Sequence, residues 1–240
     1  MSGFEFKVTR NGAIAHVDLN RPEQGNALTR AMILRFAQVL RELGADTEIN
    51  VIAIGGHGDK FCRGRDGKGE SRTGMTPYDV RVKMMGAVLD SYQAIWDVPV
   101  PVVALVHGDA LGFGAALAVA CDITLAASGA RFAFPEIEHG IPPTMAMFAA
   151  LGKVPAKALT YLIYSAEEVN AEQAVALGLA SRVLPQQTFA SEADAFLGIL
   201  AGRPRLVLET IKRYQAKAAH LTPDMASEYA GTLLALVRSS

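Results

Sequence analysis

The stretch VHGDALGFGAALAVACD at residues 106–122 constrains the fold more than any other part of the sequence. The apolar run PVVALVHG at 101–108 leads into it as a strand, and the run ALAVA at 116–120 predicts a short, tightly packed helix. Gly112 and Gly114 lie between the two, and a backbone without side chains can approach another group closely. The stretch therefore predicts a strand, a glycine turn and a helix.

Strand and helix patterns alternate over roughly the first 180 residues, and roughly the last 55 are helical throughout. This order is typical of an α/β core with a helical C-terminal region. The expected elements are a hairpin of FEFKVTR and IAHVDLN around Asn11-Gly12, a helix from the N-cap Thr29 to about Leu43, a strand at 51–56, a loop at 57–72, a helix at 77–95, a strand at 101–108, strands at 123–128 and 131–134, a helix after Pro143, two helices within 154–182, and helices from about Pro185 onward.

Composition excludes several classes of function. A net charge of −1 over 240 residues gives no overall attraction to nucleic acid or to an acidic membrane. No run reaches the ~18 apolar residues that a membrane span needs. The two cysteines, Cys62 and Cys121, lack metal-site spacing, and the N-terminus lacks a signal-peptide pattern. We therefore expect a cytoplasmic protein with free thiols and no metal site.

The glycine turn at 112–114 permits two interpretations. A dinucleotide site needs G-x-G-x-x-G/A directly after a strand and an acidic residue about 20 residues later, a place that Glu136 fills. Two features weaken that interpretation. Leu117 occupies the third small position, and an expected loop at 107–110 separates the strand from the glycines.

The second interpretation is a site for a negatively charged oxygen. A helix that begins near Gly112 directs its free N–H groups toward whatever lies before it, and the N–H of Phe113 is the nearest. In DKFCRGRDGK, at 59–68, Gly64 permits a tight turn that can direct the N–H of Arg65 inward. Two such donors from separate loops can stabilise the enolate of a thioester.

Five segments together resemble the enoyl-CoA hydratase/isomerase (crotonase) superfamily. They are collinear over roughly residues 5–190, so the set is much more specific than any one segment. The segments are RPEQGNAL at 21–28, FCRGRD at 61–66, HGDALGFGAALAVACD at 107–122, RFAFPEIEHGIPP at 131–143 and SAEEVNAEQAVALGLASRVLP at 165–185.

The resemblance implies a ClpP/crotonase-like fold, a spiral of ββα units, with an acyl-CoA site in a core of residues 1–185. Residues 186–240 would then form a helical trimerisation region of a homotrimer or a dimer of trimers. No tightly bound cofactor is implied, because coenzyme A enters as part of the substrate. The coenzyme would contact Gln24, Asn26, Ala27, Leu28, Cys62, Arg63, Gly64, Asp66, Lys68 and Gly112. Arg63, Arg65 and Lys68 would either neutralise its phosphates or form a solvated basic loop.

Hydratases of that superfamily carry two glutamates, and this chain matches only one. The first position falls on Ala116 and the second on Glu136. Hydration divides its work between a base that holds water and an acid that delivers a proton. A single carboxylate is better suited to moving a proton between two carbons, so the pattern favours an enoyl-CoA isomerase with Glu136 as its base. Apolar neighbours at 134, 135 and 137 would raise the pKa of that base.

Other interpretations remain open at this point. The same frame could carry a hydratase (a lyase) that uses Glu136 alone, a thioester hydrolase or a decarboxylase. A non-catalytic acyl-CoA binding protein is also possible, because a fold does not guarantee activity. Asp122 and His107 are expected to satisfy local backbone groups. Acyl-chain identity and length are not readable from the sequence.

Overall fold

The computed structural model describes residues 6–71 and 73–239, so Phe4 and Glu5 of the expected first strand lie outside the described residues. The strands are β1 Phe6–Asn11, β2 Ile14–Leu19, β3 Val51–Gly56, β4 Val102–Val106, β5 Ala110–Leu111, β6 Ile123–Ala127, β7 Arg131–Ala133, β8 Val169–Asn170 and β9 Arg182–Leu184. The helices are α1 Arg30–Ala45, α2 Pro77–Asp79, α3 Gly86–Asp97, α4 Phe113–Ala120, α5 Thr144–Ala150, α6 Ala156–Ser165, α7 Ala171–Ala176, α8 Phe189–Ala201, α9 Arg205–Ala218 and α10 Pro223–Arg238. Two 3-10 helices, Pro22–Gln24 and Pro135–His139, and a π-helix, Val80–Met85, complete the described elements.

Six strands form the main sheet in the order β1-β2-β3-β4-β6-β9. The β1–β2 hairpin is antiparallel, as Asn11-Gly12 predicts, and each later neighbour pairs in parallel. A smaller sheet of β5, β7 and β8 lies beside it. Parallel strands joined by helices are covered on both faces, which explains why VIAIGG and PVVALV read as continuous apolar runs.

The core lies on both faces of the main sheet. One large apolar cluster joins the sheet to α1, α3, α4 and α5. A second cluster joins the opposite face to α8, whose Phe189, Ala193 and Leu197 pack on Val51 and Val103. Helix α8, at the start of the region 186–240, therefore covers the core sheet directly.

Most of the expected elements are present, with boundaries shifted by a few residues. Thr29 caps α1 as expected, with its side chain accepting a hydrogen bond from the N–H of Met32. The expectation of a loop over 107–110 is wrong at its end, because Ala110 begins β5. The sequence patterns also missed β8 and β9, since strands of two or three residues are too short to show an alternation.

The expected helix at 77–95 is interrupted by the π-helix at Val80–Met85. Such a segment amounts to one extra residue in an otherwise α-helical run. Within the described residues, no helix combines the length and the apolar character that crossing a bilayer would require.

Candidate functional site

The glycine turn and the loop at 62–66 lie side by side. Cys62 pairs with Ala110 in a parallel bridge: the N–H of Cys62 donates to the carbonyl of Asp109 over 3.0 Å, and the N–H of Leu111 donates to the carbonyl of Cys62 over 2.9 Å. A Cβ atom on Gly114 would lie 2.0 Å from the carbonyl oxygen of Cys62. Only glycine permits this approach, and the group that comes close is the backbone of Cys62, whereas the sequence predicted close approach of a ligand.

Two backbone N–H groups, those of Arg65 and Phe113, take no part in the pairing of these loops. The Arg65–Leu28 bridge uses the N–H groups of Leu28 and Asp66, so the N–H of Arg65 points away from this pairing. Phe113 is the first residue of α4, a position whose N–H has no acceptor within a helix. Gly64, with φ at +115°, places its Cβ position 3.8 Å from the nitrogen of Phe113. The backbone of Gly64, next to Arg65, therefore lies beside that of Phe113, and the pairings of these loops use neither N–H group.

Glu136 reaches the glycine turn from the 3-10 helix that follows β7. Its Oε1 lies 3.1 Å from the Cβ position of Gly112, whose φ of +53° also favours glycine. Its Oε2 is buried without a hydrogen-bond partner among the described residues. Burial raises the pKa of Glu136, while its own backbone N–H and the charge of His139 oppose that shift. A half-buried carboxylate therefore stands against the glycine turn with one oxygen free to accept a proton.

Neither position 116 nor Asp109 supplies a free carboxylate to the site. Ala116 is fully buried one turn along α4 from Phe113. Asp109 accepts hydrogen bonds from Arg131 and forms an ion pair with Lys60. Burial alone would raise the pKa of Asp109, but these two partners lower it overall. Asp109 is therefore an ionised structural anchor.

The segment around residues 24–28 is held by its own hydrogen bonds. Asn26 has a φ of +57°, and its amide donates to the carbonyls of His57 and Lys60. Arg21 donates to the carbonyl of Ala27 and pairs with Asp66. The sequence analysis missed this role of Arg21 because its partners lie on a distant loop. Gln24 lies at the exposed end of the segment, whereas Leu28 is buried.

The three basic side chains of the 62–68 loop differ in environment. Arg63 and Lys68 are exposed to solvent. Arg65 forms an ion pair with Glu70, and its Nε is buried without a partner among the described residues. Asp66 accepts from the N–H of Lys68, which together with Arg21 lowers the pKa of Asp66. The positive charge that could face a phosphate is therefore on Arg63 and Lys68 rather than on Arg65.

The Cys62 thiol takes no evident part in chemistry. It donates to the carbonyl of Asn26 over 3.3 Å, and burial raises its pKa to about 12. A thiol with that pKa stays protonated at neutral pH and is a poor nucleophile. Only the backbone of Cys62 therefore contributes to the site.

Aromatic side chains close the site on the α3 side. Tyr92 stacks on Phe113 with ring centroids 5.9 Å apart, and Trp96 lies next to Tyr92 at 6.5 Å. The indole N–H of Trp96 donates to the carbonyl of Ala120. The helical spacing of Val88 and Tyr92 predicted only a core face, so the sequence did not single out Tyr92 as a neighbour of Phe113.

Two expected structural roles are confirmed. Asp122 accepts hydrogen bonds from the N–H of Val102 at 2.8 Å and from Lys212 at 2.7 Å. His107 hydrogen-bonds the carbonyl of Gly58 at 3.1 Å. Neither side chain is therefore a candidate for proton transfer.

Comparison with known proteins agrees with this geometry. A sequence profile described as enoyl-CoA hydratase/isomerase matches residues 9–234. The 2,3-dehydroadipyl-CoA hydratase of Escherichia coli is 31% identical over 93% of this chain and 87% of its own length. The mitochondrial enoyl-CoA hydratase domain-containing protein 3 of Rattus norvegicus is 28% identical over 90% and 71%. A crystal structure of an enoyl-CoA hydratase from Mycobacterium smegmatis superposes with a TM-score of 0.90 at 28% identity, covering 97% of this chain and 90% of that one.

Proposed function

Since this chain is an enzyme that belongs to the enoyl-CoA hydratase/isomerase family and has the crotonase fold, we propose that it moves the double bond of an enoyl-CoA from the 3,4 to the 2,3 position. One observation carries the proposal. Glu136 stands at the glycine turn with an unpartnered carboxylate oxygen, and the place of a second glutamate holds the buried Ala116.

In the proposed reaction Glu136 removes a proton from C2 of the 3-enoyl thioester. The electron pair of the broken C–H bond passes into a dienolate, whose negative oxygen accepts hydrogen bonds from the N–H groups of Arg65 and Phe113. Glu136 then returns the proton to C4, which yields the conjugated 2-enoyl thioester. A raised pKa suits this shuttle, because the same carboxyl group must first accept the proton and then release it. Each backbone donor would contribute about 3 kcal/mol to stabilisation of the transition state.

We propose that the coenzyme A part of the substrate lies along the segment 24–28 and the loop 62–68. The fixed backbone there gives a rigid edge, and Arg63 and Lys68 supply exposed positive charge. The residues proposed to contact it are Gln24, Asn26, Ala27, Leu28, Cys62, Arg63, Gly64, Asp66, Lys68 and Gly112. Arg65 contributes only its backbone in this proposal, because Glu70 neutralises its side chain.

Hydration of a 2-enoyl-CoA is the second candidate activity. Several of the relatives are named hydratases, among them the E. coli enzyme for 2,3-dehydroadipyl-CoA. In that case Glu136 alone would hold the water and deliver the proton. The acyl group would then have to leave room for a water molecule beside Ala116.

We also propose that residues 186–240 mediate assembly into a trimer or a dimer of trimers in the cytoplasm. Helices α9 and α10 expose several large apolar side chains, which favours a partner surface. These are Leu206, Ile211, Met225, Leu234 and Leu236. The two buried free thiols, Cys62 and Cys121, are compatible with a reducing compartment.

The absorbance of the conjugated enoyl thioester separates the candidate activities. With a 3-enoyl-CoA substrate, isomerisation creates the chromophore, so the signal rises. With a 2-enoyl-CoA of the same chain length, hydration destroys it and the signal falls. We expect the absorbance to rise with the 3-enoyl-CoA. In Glu136→Gln the rate of that rise should be lower by ~10²-fold or more, while coenzyme A still binds. A fall without any rise would replace the isomerase by the hydratase.

A further inference from the structure

Two polar side chains, Glu136 and Tyr92, flank the dipeptide Gly112–Phe113. The Glu136 carboxyl group lies on one side, with Oε1 3.1 Å from the Cβ position of Gly112, and its Oε2 is buried without a hydrogen-bond partner among the described residues. Tyr92 lies on the other side, stacked on the ring of Phe113 and only 1% exposed. No hydrogen bond of the Tyr92 hydroxyl is present within the described part of the chain. Buried polar groups are nearly always paired, so the unpaired Oε2 of Glu136 requires an explanation.

The two groups also interact electrostatically. The negative charge of Glu136 raises the pKa of Tyr92, second to the effect of burial and ahead of the neighbouring Cys62. The phenol is therefore protonated throughout the pH range of the reaction. It can act as a neutral hydrogen-bond donor, but it is too weak an acid to exchange protons with substrate.

Few other titratable groups face Glu136. His139 lies on the same 3-10 helix, and its charge opposes the rise in the pKa of Glu136. Helix α6 packs against this 3-10 helix, and its titratable side chains are exposed: Lys157, Tyr161 and Tyr164. The buried thiol of Cys62 stays neutral. Two buried side-chain donors therefore remain near this carboxylate among the described residues. One is Nε of Arg65, whose guanidinium is already paired with Glu70, and the other is the hydroxyl of Tyr92.

We propose that Tyr92 is a positioning residue whose hydroxyl donates a hydrogen bond to Oε2 of Glu136, directly or through one water molecule, when acyl-CoA fills the site. This inference rests on the proposed role of Glu136 as the base. The hydrogen bond holds the carboxylate toward the substrate carbon and favours its ionised form at the start of the reaction. Hydrogen bonds in catalytic sites are often long in the empty enzyme and tighten when substrate binds. Tyr92 thereby helps to orient the active-site groups, a role in which a second carboxylate at position 116 would otherwise share.

The variant Tyr92→Phe keeps the stacking on Phe113 and removes only the donor. Loss of a hydrogen bond to a carboxylate raises its pKa, so the acid limb of kcat, which reports the enzyme–substrate complex, should move up by about one pH unit. At a pH below the limb, the rate should fall ~10-fold while KM changes little. If the acid limb of Tyr92→Phe lies at the same pH as that of the wild type, the proposal is overturned. The matched control is Tyr214→Phe in α9, which makes the same chemical change beside Tyr229 and should leave the limb unchanged.

A second replacement should shift the acid limb in the opposite direction. Introduction of 3,5-difluorotyrosine at position 92 makes the phenol a stronger donor, so the limb should move to lower pH. A shift in the same direction as Tyr92→Phe, or no shift, would overturn the proposal. If Tyr92→Phe does not fold, the difluorotyrosine protein still tests the proposal.

An infrared titration separates this inference from the proposed activity. The carboxyl band that disappears in Glu136→Gln reports the protonation of that residue with bound coenzyme A and needs no turnover. We expect its midpoint to rise in Tyr92→Phe and to fall with difluorotyrosine. If these shifts occur in a protein that neither isomerises nor hydrates, the positioning role stands and the proposed function fails. If the midpoints coincide in all three proteins, the positioning role fails whatever the activity.

Discussion

We expect the ionised Glu136 to make the fold less stable at neutral pH than a neutral side chain would. Burial raises its folded-state pKa above the unfolded value, so the native state favours the protonated form. The contribution of the protonated Glu136 to the stability of the native state is fully present below the ordinary glutamate pKa. It is lost as the pH rises through the folded-state pKa of Glu136. We therefore expect Glu136→Gln to raise the Tm at pH 7–8 by a few degrees, on the order of 1 kcal/mol, with the difference vanishing near pH ~4.

Thermal melts of the two proteins over a pH series test this prediction. The control is Glu138→Gln, because Glu138 is exposed on the same 3-10 helix and its replacement should change the Tm little. Equal melting temperatures of wild type and Glu136→Gln at pH 8 would mean that the carboxylate has a partner in solution.

Gly114 fixes the distance between the two backbone loops. In Gly114→Ala the new Cβ would meet the carbonyl oxygen of Cys62 at 2.0 Å, so the loops must separate. We expect a loss of about 2 kcal/mol of unfolding free energy and a fall in kcat of ~10²-fold, because the two N–H donors would no longer converge. Denaturant unfolding and the thioester assay measure the two effects.

A matched glycine in α8 provides the control for that change. Gly198 has no heavy atom within 4 Å of its Cβ position, so Gly198→Ala should keep full activity and gain up to ~1 kcal/mol of stability. If Gly114→Ala behaves like Gly198→Ala, the close approach of the loops is not essential.

Sequence spacing predicted the site residues whose role depends on the local backbone. Gly112 and Gly114 lie on either side of Phe113 at the start of α4, and Glu136 follows a short strand within a recognisable segment. Tyr92 and Arg21 were missed as neighbours of the site because their partners come from other elements. Helical periodicity indicates that a tyrosine is buried, but it does not say which side chain the ring covers.

At the scale of elements, Lys212 ties α9 to the core. Its ammonium group donates to the carbonyls of Ile95 and Val100 and to the carboxylate of Asp122, and the residue is only 8% exposed. The variant Lys212→Met would deprive the carbonyls of Ile95 and Val100 of this donor, while Asp122 would keep only the N–H of Val102. We expect the unfolding free energy to fall by about 3 kcal/mol, seen as a lower denaturant midpoint with an unchanged slope.

The exposed Lys217 in the last turn of the same helix is the control for this prediction. Lys217→Met should shift the midpoint by less than ~0.5 kcal/mol. A similarly small shift for Lys212→Met would show that α9 is held by its apolar contacts instead.

Long elements were predictable from the sequence, and very short ones were not. Helix α1 has an N-cap and a clear apolar face, and the β1–β2 hairpin has an Asn-Gly turn, so both local signals agree with the fold. Strands β5, β8 and β9 form only because parallel or antiparallel partners are already in place beside them. The π-helix at Val80–Met85 likewise has no local signature in the sequence.

At the scale of the whole molecule, the proposed assembly through α9 and α10 has a direct test. Wild-type protein should sediment as a multiple of the 25.5 kDa chain. Leu234, on α10, is 62% exposed, and Leu234→Asp would place a charge on the proposed contact surface. We expect this variant to dissociate toward monomers at micromolar concentration, whereas Ser227→Asp at another exposed position of α10 should not. A monomeric wild type would remove the assembly from the proposal.

The two N–H groups proposed to bind the oxyanion belong to Arg65 and Phe113, which lie in distant parts of the chain and are brought together by the Cys62–Ala110 bridge and the close contacts around it. This separation has a kinetic consequence. Helices can form early during refolding because their contacts are local, whereas a pairing between remote loops must wait for the sheet between them. Recovery of enzymatic turnover after dilution from denaturant should therefore lag behind recovery of helical circular dichroism. The catalytic assay would then time the last step of folding, which spectroscopy of the helices does not detect.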